Sequence, residues 1–337
     1  MEHHHLLRFT ISNGVGQGKI LAGFSYCFYC YDLADNLKSS GYGCTINGVY
    51  AGIAGYSDDD IMLAPSISAL QGMLKIAEEY AVQHGLKFST DPNPKKSKTK
   101  CISFLLNPRP LPKLRLCENL LPWVDSVIHL GNTITNDANL LEHDMSIKKA
   151  RYISKNIELN QEFHFAASQT KMYVNNVYNN SWFGNVIWDL FCPASLKLES
   201  YWNRSIKIMM DLPWGTHRGL IEPLSKSSHI KRFFIKNVIQ FIAKIKNSTK
   251  PLLRTILSAI MHDTRSTTGK NLRGILLLSS KGSIEELSVS DADHFPYFPM
   301  SQEEEWKTEM LTLLIEERDR GSLDKEETEW FNYLCTS

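Results

Sequence analysis

The chain has 337 residues, 43% of them hydrophobic and 22% charged, enough to bury a core and to hold two or three domains. No apolar run approaches about 18 residues and the first residues do not read as a signal peptide, so neither a membrane-spanning helix nor a signal peptide is expected and the reading is an intracellular protein, nuclear or cytoplasmic. Net charge is only +1, yet residues 301–337 hold 11 acidic and 4 basic side chains, leaving +8 on the rest, a basic body suited to phosphate contact.

Taken in order, Phe9 to Asn13 reads as a short strand leading into the glycine-rich segment Ser12–Gly18. Phe24 to Ser39 has helical spacing, with Leu33 and Leu37 on one face and Gly41 ending it, and its aromatics are expected in the core. Within it, Cys27 and Cys30 have metal-like spacing but no second Cys/His pair nearby, so core packing is the simpler reading. An odd total of seven cysteines without regular spacing fits a reducing compartment.

Asn47-Gly48 is a strong hairpin signal, because both residues tolerate the positive φ of a type I′ turn. Val49–Ala54 and Ile61–Ala64 are strand-forming runs on either side of Gly55-Tyr56-Ser57-Asp58-Asp59-Asp60. A hairpin there would carry Asp58 and Asp59 side by side at its tip, within an antiparallel sheet of about three strands. Adjacent carboxylates repel, and the hard cation suited to an oxygen-only site is magnesium; the alternative is a solvated acidic turn. Pro65-Ser66 caps a helix from Ile67 to His84, whose apolar face uses Leu70, Met73, Leu74, Ala77, Tyr80 and Ala81, with Gly85 closing it.

Asp91–Pro94 reads as a turn before Lys95, Lys96, Lys98 and Lys100, followed by a strand from Cys101 to Leu106. Asn107 to Pro112 is a proline-rich link, and Trp123 to Thr135 reads as a hairpin. From Leu140 onward the pattern is helical. Asp144–Asn156 carries Lys148, Lys149, Arg151 and Lys155, with Ile147, Ala150 and Ile153 on another face, either a helix lying along a nucleic-acid backbone or an ordinary basic surface helix. Further helices are expected at Ala166–Tyr178, Ser195–Met210, His229–Lys246, Pro251–His262 and Gln302–Glu317, with an acidic helix pair at the end and a polar loop over Ser280–His294. Lys226, Lys231, Arg232, Lys236, Lys244 and Lys246 form a second basic stretch, and Trp182, Trp188, Trp202 and Trp214 read as core anchors.

Tyr56-Ser57-Asp58-Asp59 between two strands resembles the active-site turn of reverse transcriptases. Asn13-Gly14-Val15-Gly16-Gln17-Gly18 with Leu21 resembles the family's N-G-V-R-Q-G-x-x-L-S-P segment, Lys95–Cys101 its lysine-bearing motif, and Leu121–Val124 with Ile128–Asn132 its primer-grip strands. The four stand in the family's order, over roughly residues 9 to 135, and the nearest resemblance is to the enzyme of non-LTR (LINE-type) retrotransposons. Gln161–Ala166 and Trp188–Phe191 resemble the region downstream of the polymerase core in such elements, without a catalytic motif.

The resemblance implies two-metal nucleotidyl transfer on an RNA template and a DNA primer, with deoxynucleotides as substrates of the intact enzyme and Mg2+ (or Mn2+) as cofactor. It implies Asp58 and Asp59 as metal ligands, Gln17, Gly18 and Tyr56 at the nucleotide, and Lys98 (or Lys96) at the pyrophosphate. His129, Leu130 and Gly131 would position the primer, and Lys148, Lys149, Arg151 and Lys155 would contact nucleic acid.

The implied fold class is α+β: a partial palm, a small antiparallel sheet with two helices, over 1–106. A primer-grip hairpin and thumb helix would come next over 107–160, then a helical C-terminal region over 161–337. Four positions depart from the family: Gly16 replaces its arginine, Ala22-Gly23 its Ser-Pro, and Asp60 the apolar residue after the aspartate pair. No aspartate occurs in Met1–Asn13 to match the family's first catalytic carboxylate, so the chain is expected to be inactive by itself. The alternative is a non-enzymatic, nucleic-acid-binding helical protein derived from such an element.

Overall fold

A computed structural model describes residues 21–93, 95–104, 110–136, 142–179, 181–294 and 302–336. The fold is mixed α+β, with two-stranded antiparallel sheets and many helices, and the chain divides into two compact units, 1–127 and 128–337.

In the first unit the expected single helix is two, α1 (Ala22–Tyr29) and α2 (Tyr31–Ser39), parted at Cys30. Their aromatics are not core: Phe24, Phe28, Tyr29 and Tyr31 are all exposed, and burial falls on Leu33 and Leu37 of α2. The reason is that apolar residues in α1 run around the helix and define no single face to bury.

Strands β1 (Thr45–Ile46) and β2 (Val49–Tyr50) meet at Asn47-Gly48, both with positive φ (48° and 78°), as the dipeptide predicts. Next come β3 (Ile53–Tyr56) and β4 (Asp59–Met62). The expected three-stranded sheet does not form. These are two separate hairpins, each extended by one backbone hydrogen bond (Ala51 N–H to Cys44 O, Leu63 N–H to Gly52 O) and linked to each other by Cys44 N–H to Leu63 O at 2.9 Å.

Helix α3 (Ile67–Gln83) starts at Ser66, whose hydroxyl accepts from Ala69 N–H at 3.2 Å. Met73, Ala77 and Tyr80 pack on Leu33 and Leu37 of α2, with Ile53 and Met62 of the second hairpin half-buried against them. Leu74 turns the other way, into a cluster with Cys101, Leu114, Leu116 and Leu121. That cluster holds β5 (Arg115–Leu116) and β6 (Asn119–Leu120), whose turn places Cys117 and Glu118 at positive φ without a glycine. Among the described residues of the expected strand 101–106, only Cys101 pairs, as an isolated bridge to Trp123.

The division between the units falls inside β7 (Ser126–His129), which pairs with β8 (Asn132–Thr135) through a turn at Leu130-Gly131. The second unit is then helical: α4 (His143–Glu162), α5 (Ser168–Tyr178), α6 (Pro193–Met209), α7 (Arg218–Ser225), α8 (Ile230–Lys246), α9 (Pro251–His262), α10 (Thr267–Leu278), α11 (Gln302–Asp319) and α12 (Lys325–Thr336). Its core is continuous and centred on α8, which buries Ile230, Phe234, Ile235, Val238, Ile239, Ile242 and Ile245. Trp182, Trp188 and Phe234 meet edge to face, with centroids 5.5–6.1 Å apart. Trp202 is buried as expected; Trp214 is not, and keeps 64% of its surface open. Among the described residues no helix is long and apolar enough to cross a membrane.

Candidate functional site

The acidic turn is a two-residue hairpin loop. Ile53 faces Met62, Ala54 faces Ile61, Gly55 faces Asp60 and Tyr56 faces Asp59, leaving Ser57 (φ 57°) and Asp58 as the turn. Because side chains alternate along a strand, Tyr56 and Asp59 share the outer face with Ala54 and Ile61. Asp60 lies on the opposite face, with Gly55, Ile53 and Met62.

Asp60 therefore takes the face of Ile53 and Met62, where an apolar residue would be ordinary, although near the hairpin's end the residue stays exposed and only its carboxyl is partly covered. Gly55 makes room for it: a Cβ there would sit 2.5 Å from Asp60 Oδ1. Burial of the carboxyl, then the negative charges of Asp59 and Asp58, push the Asp60 pKa up. Helix α1 lies on this side. A Cβ on Gly23 would be 3.6 Å from Ser57 Oγ, and the Tyr26 hydroxyl is raised by burial, by Cys30 and by the charges of Asp60 and Asp58. Tyr80 Oη donates to Tyr29 O at 2.9 Å and Tyr29 Oη to His84 O at 2.6 Å, which ties α1 to the end of α3.

A raised carboxyl gives a signed expectation. The folded state holds the Asp60 proton more tightly than the unfolded state, so ionised Asp60 costs stability above its unfolded pKa of about 3.9. Asp60→Asn is expected to raise the thermal midpoint near neutral pH, with the gain vanishing at about pH 3. Circular dichroism melts at both pH values test it; an equal shift at both would sink the electrostatic account.

The other expected site residues are placed unevenly. Gln17 and Gly18 lie outside the described residues. Tyr56 is 68% exposed beside Asp59. Lys98 and Lys96 are exposed on a chain segment without regular structure, anchored by Thr99 N–H to Ser89 O at 3.1 Å. Among the described residues neither lysine makes an ion pair with Asp58 or Asp59. His129, Leu130 and Gly131 occupy the tip of the β7–β8 hairpin, Leu130 and Gly131 at φ 47° and 74°.

On α4 the expectation needs correcting. Lys148 is 2% exposed and cannot touch a phosphate, because the buried face of the helix runs Met145, Lys148, Tyr152, Asn156 and Leu159 rather than through Ile147, Ala150 and Ile153. Its ammonium pairs with Asp144 Oδ2 at 3.0 Å, donates to Asn132 Oδ1 at 2.6 Å and donates to Phe183 O. Asp144 in turn accepts from Thr133 N–H and Trp188 Nε1, each at 2.8 Å. Burial alone would raise the Asp144 carboxyl, but Thr133, Trp188 and Lys148 together hold it below its ordinary value. This buried network fixes β8 to α4, and charge patterning alone does not reveal it; the 3–4 spacing of Met145, Lys148, Tyr152 and Leu159 was the available signal.

The remaining basic groups of α4 are partly engaged. Lys149 lies 4.7 Å from the centre of the Tyr201 ring and Lys155 pairs with Glu158 at 2.9 Å, while Arg151 is exposed. In the second basic stretch Arg232 is tied to Glu222 at 2.9 Å, whereas Lys226, Lys244 and Lys246 face solvent.

For a divalent ion the hairpin's donors fit in kind. Asp58 and Asp59 are exposed, oxygen-only and mutually repelling, which a hard cation would relieve. They fall short in number, since among the described residues no three His, Cys, Asp or Glu side chains are grouped to hold a metal. No protein-family model matches the chain, and no curated protein matches it.

Proposed function

We propose that this chain is part of the RNA-directed DNA polymerase of a LINE-type retrotransposon, contributing the palm's metal-holding turn and the primer-grip hairpin. The observation that supports this reading is the β3–β4 hairpin itself, which places Asp58 in a two-residue turn and Asp59 at the first paired position beside Tyr56. The β7–β8 hairpin supports it further by carrying His129, Leu130 and Gly131 at a tip whose base is clamped to α4.

In this reading Asp58 and Asp59 would hold the divalent ion, which would supply Lewis-acid stabilisation of charge on the transferring phosphoryl group. The protein's own part is positional. Tyr56 lies on the outer face beside Asp59, and the hairpin tip at Leu130-Gly131 offers backbone groups to a primer end. Template RNA and primer DNA are the partners, and Arg151 and Lys149 are the α4 cations left to meet a phosphate backbone.

The test is a Mn2+ titration followed by water-proton relaxation. One ion is expected to bind weakly to the wild-type chain, and Asp58→Ala is expected to lose it; unchanged binding would remove the metal site. With primed RNA template, Mg2+ and deoxynucleotides, no extension is expected from the 337 residues alone, since Asp58 and Asp59 are two of the family's three metal carboxylates.

A second reading is a non-enzymatic nucleic-acid-binding protein derived from such an element. Asp60 favours it: an acid on the hairpin's inner face weakens the support under the aspartate pair. Here Asp58→Ala leaves Mn2+ behaviour unchanged while salt-dependent binding to nucleic acid persists.

A further inference from the structure

Helix α6 carries Ser200, Asn203, Arg204 and Lys207 at spacings of three and four, on one face, with Trp202 buried on another. The helix ends at Met209, Asp211 takes φ 51°, and Leu212 N–H returns to Lys207 O at 2.8 Å. That reversal lays Pro213-Trp214 back over the last turns of α6. The Trp214 carbonyl accepts from Lys207 Nζ at 2.7 Å, and the Arg204 guanidinium stands 5.3 Å from the indole centre.

The result is an open cleft of about 430 Å³ lined by Ser200, Asn203, Arg204, Lys207 and Trp214. Its lining carries two cations and no carboxylate. An indole that is 64% exposed yet pinned by its own carbonyl and by a stacked guanidinium is unusual for a residue whose chemistry favours burial. Asn203, one of the lining residues, has its Oδ1 buried with no hydrogen-bond partner among the described residues. Burial also lowers the Lys207 ammonium pKa, a cost that a bound anion would relieve.

We propose that this cleft binds one nucleotide of a single-stranded nucleic acid, the base stacking on Trp214 and its phosphate meeting Arg204 and Lys207. The chemistry is that of single-strand recognition elsewhere: an aromatic platform every base can use, flanked by cations that track the backbone. Double-stranded nucleic acid hides its base faces and gains nothing from the indole. The inference shares a nucleic-acid partner with the proposed function but none of its residues, so each can fail alone.

The experiment uses the full chain and a fluorescein-labelled twelve-nucleotide oligothymidylate, read by anisotropy across a salt series. Trp214→Ala is expected to weaken binding about tenfold, and Trp214→Phe, which keeps a ring, to retain most of it. Arg204→Gln is expected to flatten the log–log salt slope by about 0.7, the value for one phosphate contact on a single strand. An abasic strand of equal length and charge is expected to bind wild type and Trp214→Ala alike. Ultraviolet cross-linking to the oligonucleotide, mapped by peptide mass, is expected to mark the peptide containing Trp214.

Equal affinity of wild type and Trp214→Ala for the oligothymidylate would overturn the proposal, as would an abasic strand that binds wild type as tightly as the intact one. Competition by thymidine monophosphate as effective as by the strand would overturn the single-strand assignment. The Mn2+ titration at Asp58 is independent of all these results. Mn2+ behaviour that Asp58→Ala leaves unchanged, with Trp214-dependent strand binding intact, sinks only the polymerase reading; Mn2+ binding lost in Asp58→Ala, with strand binding indifferent to Trp214, sinks only this one.

Discussion

Asp144→Ala is expected to destabilise the 128–337 unit by about 3–5 kcal/mol, because it leaves the Lys148 ammonium buried without its counter-charge. Both side chains are almost wholly enclosed, at 4% and 2% exposure. The carboxylate also satisfies the Thr133 amide and the Trp188 indole, so truncation orphans three donors together. Urea unfolding followed by tryptophan fluorescence gives the readout, since Trp182, Trp188 and Trp202 all lie in that core. The double variant Asp144→Ala, Lys148→Met is expected to be less damaged than Asp144→Ala alone, because no buried charge then remains. Simple additivity of the two substitutions would disprove the coupling. The pH dependence comes from the lowered carboxyl: its stabilisation is full above the unfolded pKa of about 3.9 and fades as pH falls through the lower folded value.

Gly184→Ala is expected to cost about 3 kcal/mol in the same unit, by a different route. Gly184 takes φ 76°, where a side chain is strained by about 1–2 kcal/mol. A Cβ there would also collide with Asn132 Oδ1 and come to 3.0 Å from Lys148 Nζ. Asn132 must then move, which breaks its hydrogen bond to the ammonium, a charged bond worth about 1.5–3 kcal/mol. Because the loss passes through Lys148, Gly184→Ala and Asp144→Ala should be less than additive in combination. A Gly184→Ala variant as stable as wild type would show that Asn132 has another seat.

The sequence revealed most where local chemistry decides. Asn47-Gly48 called for a type I′ turn, Ser66 for a helix cap, and the Met73–Ala81 stripe for the buried face of α3, and all three are present. Helices α5, α6, α8 and α9 begin and end within two residues of their expected bounds, because apolar spacing and Pro or Gly punctuation mark them. The acidic hairpin was legible for the same reason, but its turn is tighter than the runs Val49–Ala54 and Ile61–Ala64 suggest. The ladder extends to Tyr56 and Asp59, so only Ser57 and Asp58 reverse the chain and Asp59 is a strand residue rather than part of the tip.

The features that escaped the sequence depend on neighbours distant along the chain. Lys148 reads as a solvated cation until Asp144, Asn132 and Phe183 are seen to enclose it, and charge alone put it on the wrong face. Cys117-Glu118 gives no turn signal, since neither residue favours positive φ; Leu114, Leu116 and Leu121 close that hairpin by packing. The aromatics of α1 looked like core by composition, yet burial needs a stripe, and Leu33 and Leu37 supply it one helix later. Helices α7 and α10 are short or interrupted, by Pro223 and by Gly269 and Gly274, so propensity argues against what tertiary contacts enforce.

Helix α8 has a consequence for how this protein comes apart. It is packed by α6, α9, α10 and the turns at Asn185–Ile187 and Val289–His294, and its apolar residues reach around much of its circumference. Such a segment has no small opening motion that bares its amides while its neighbours stay folded. Hydrogen exchange along Ile230–Lys246 is therefore expected to report the cooperative unfolding of the whole helical unit, whereas the β1–β2 and β3–β4 hairpins, outside that unit, are expected to exchange at lower energy.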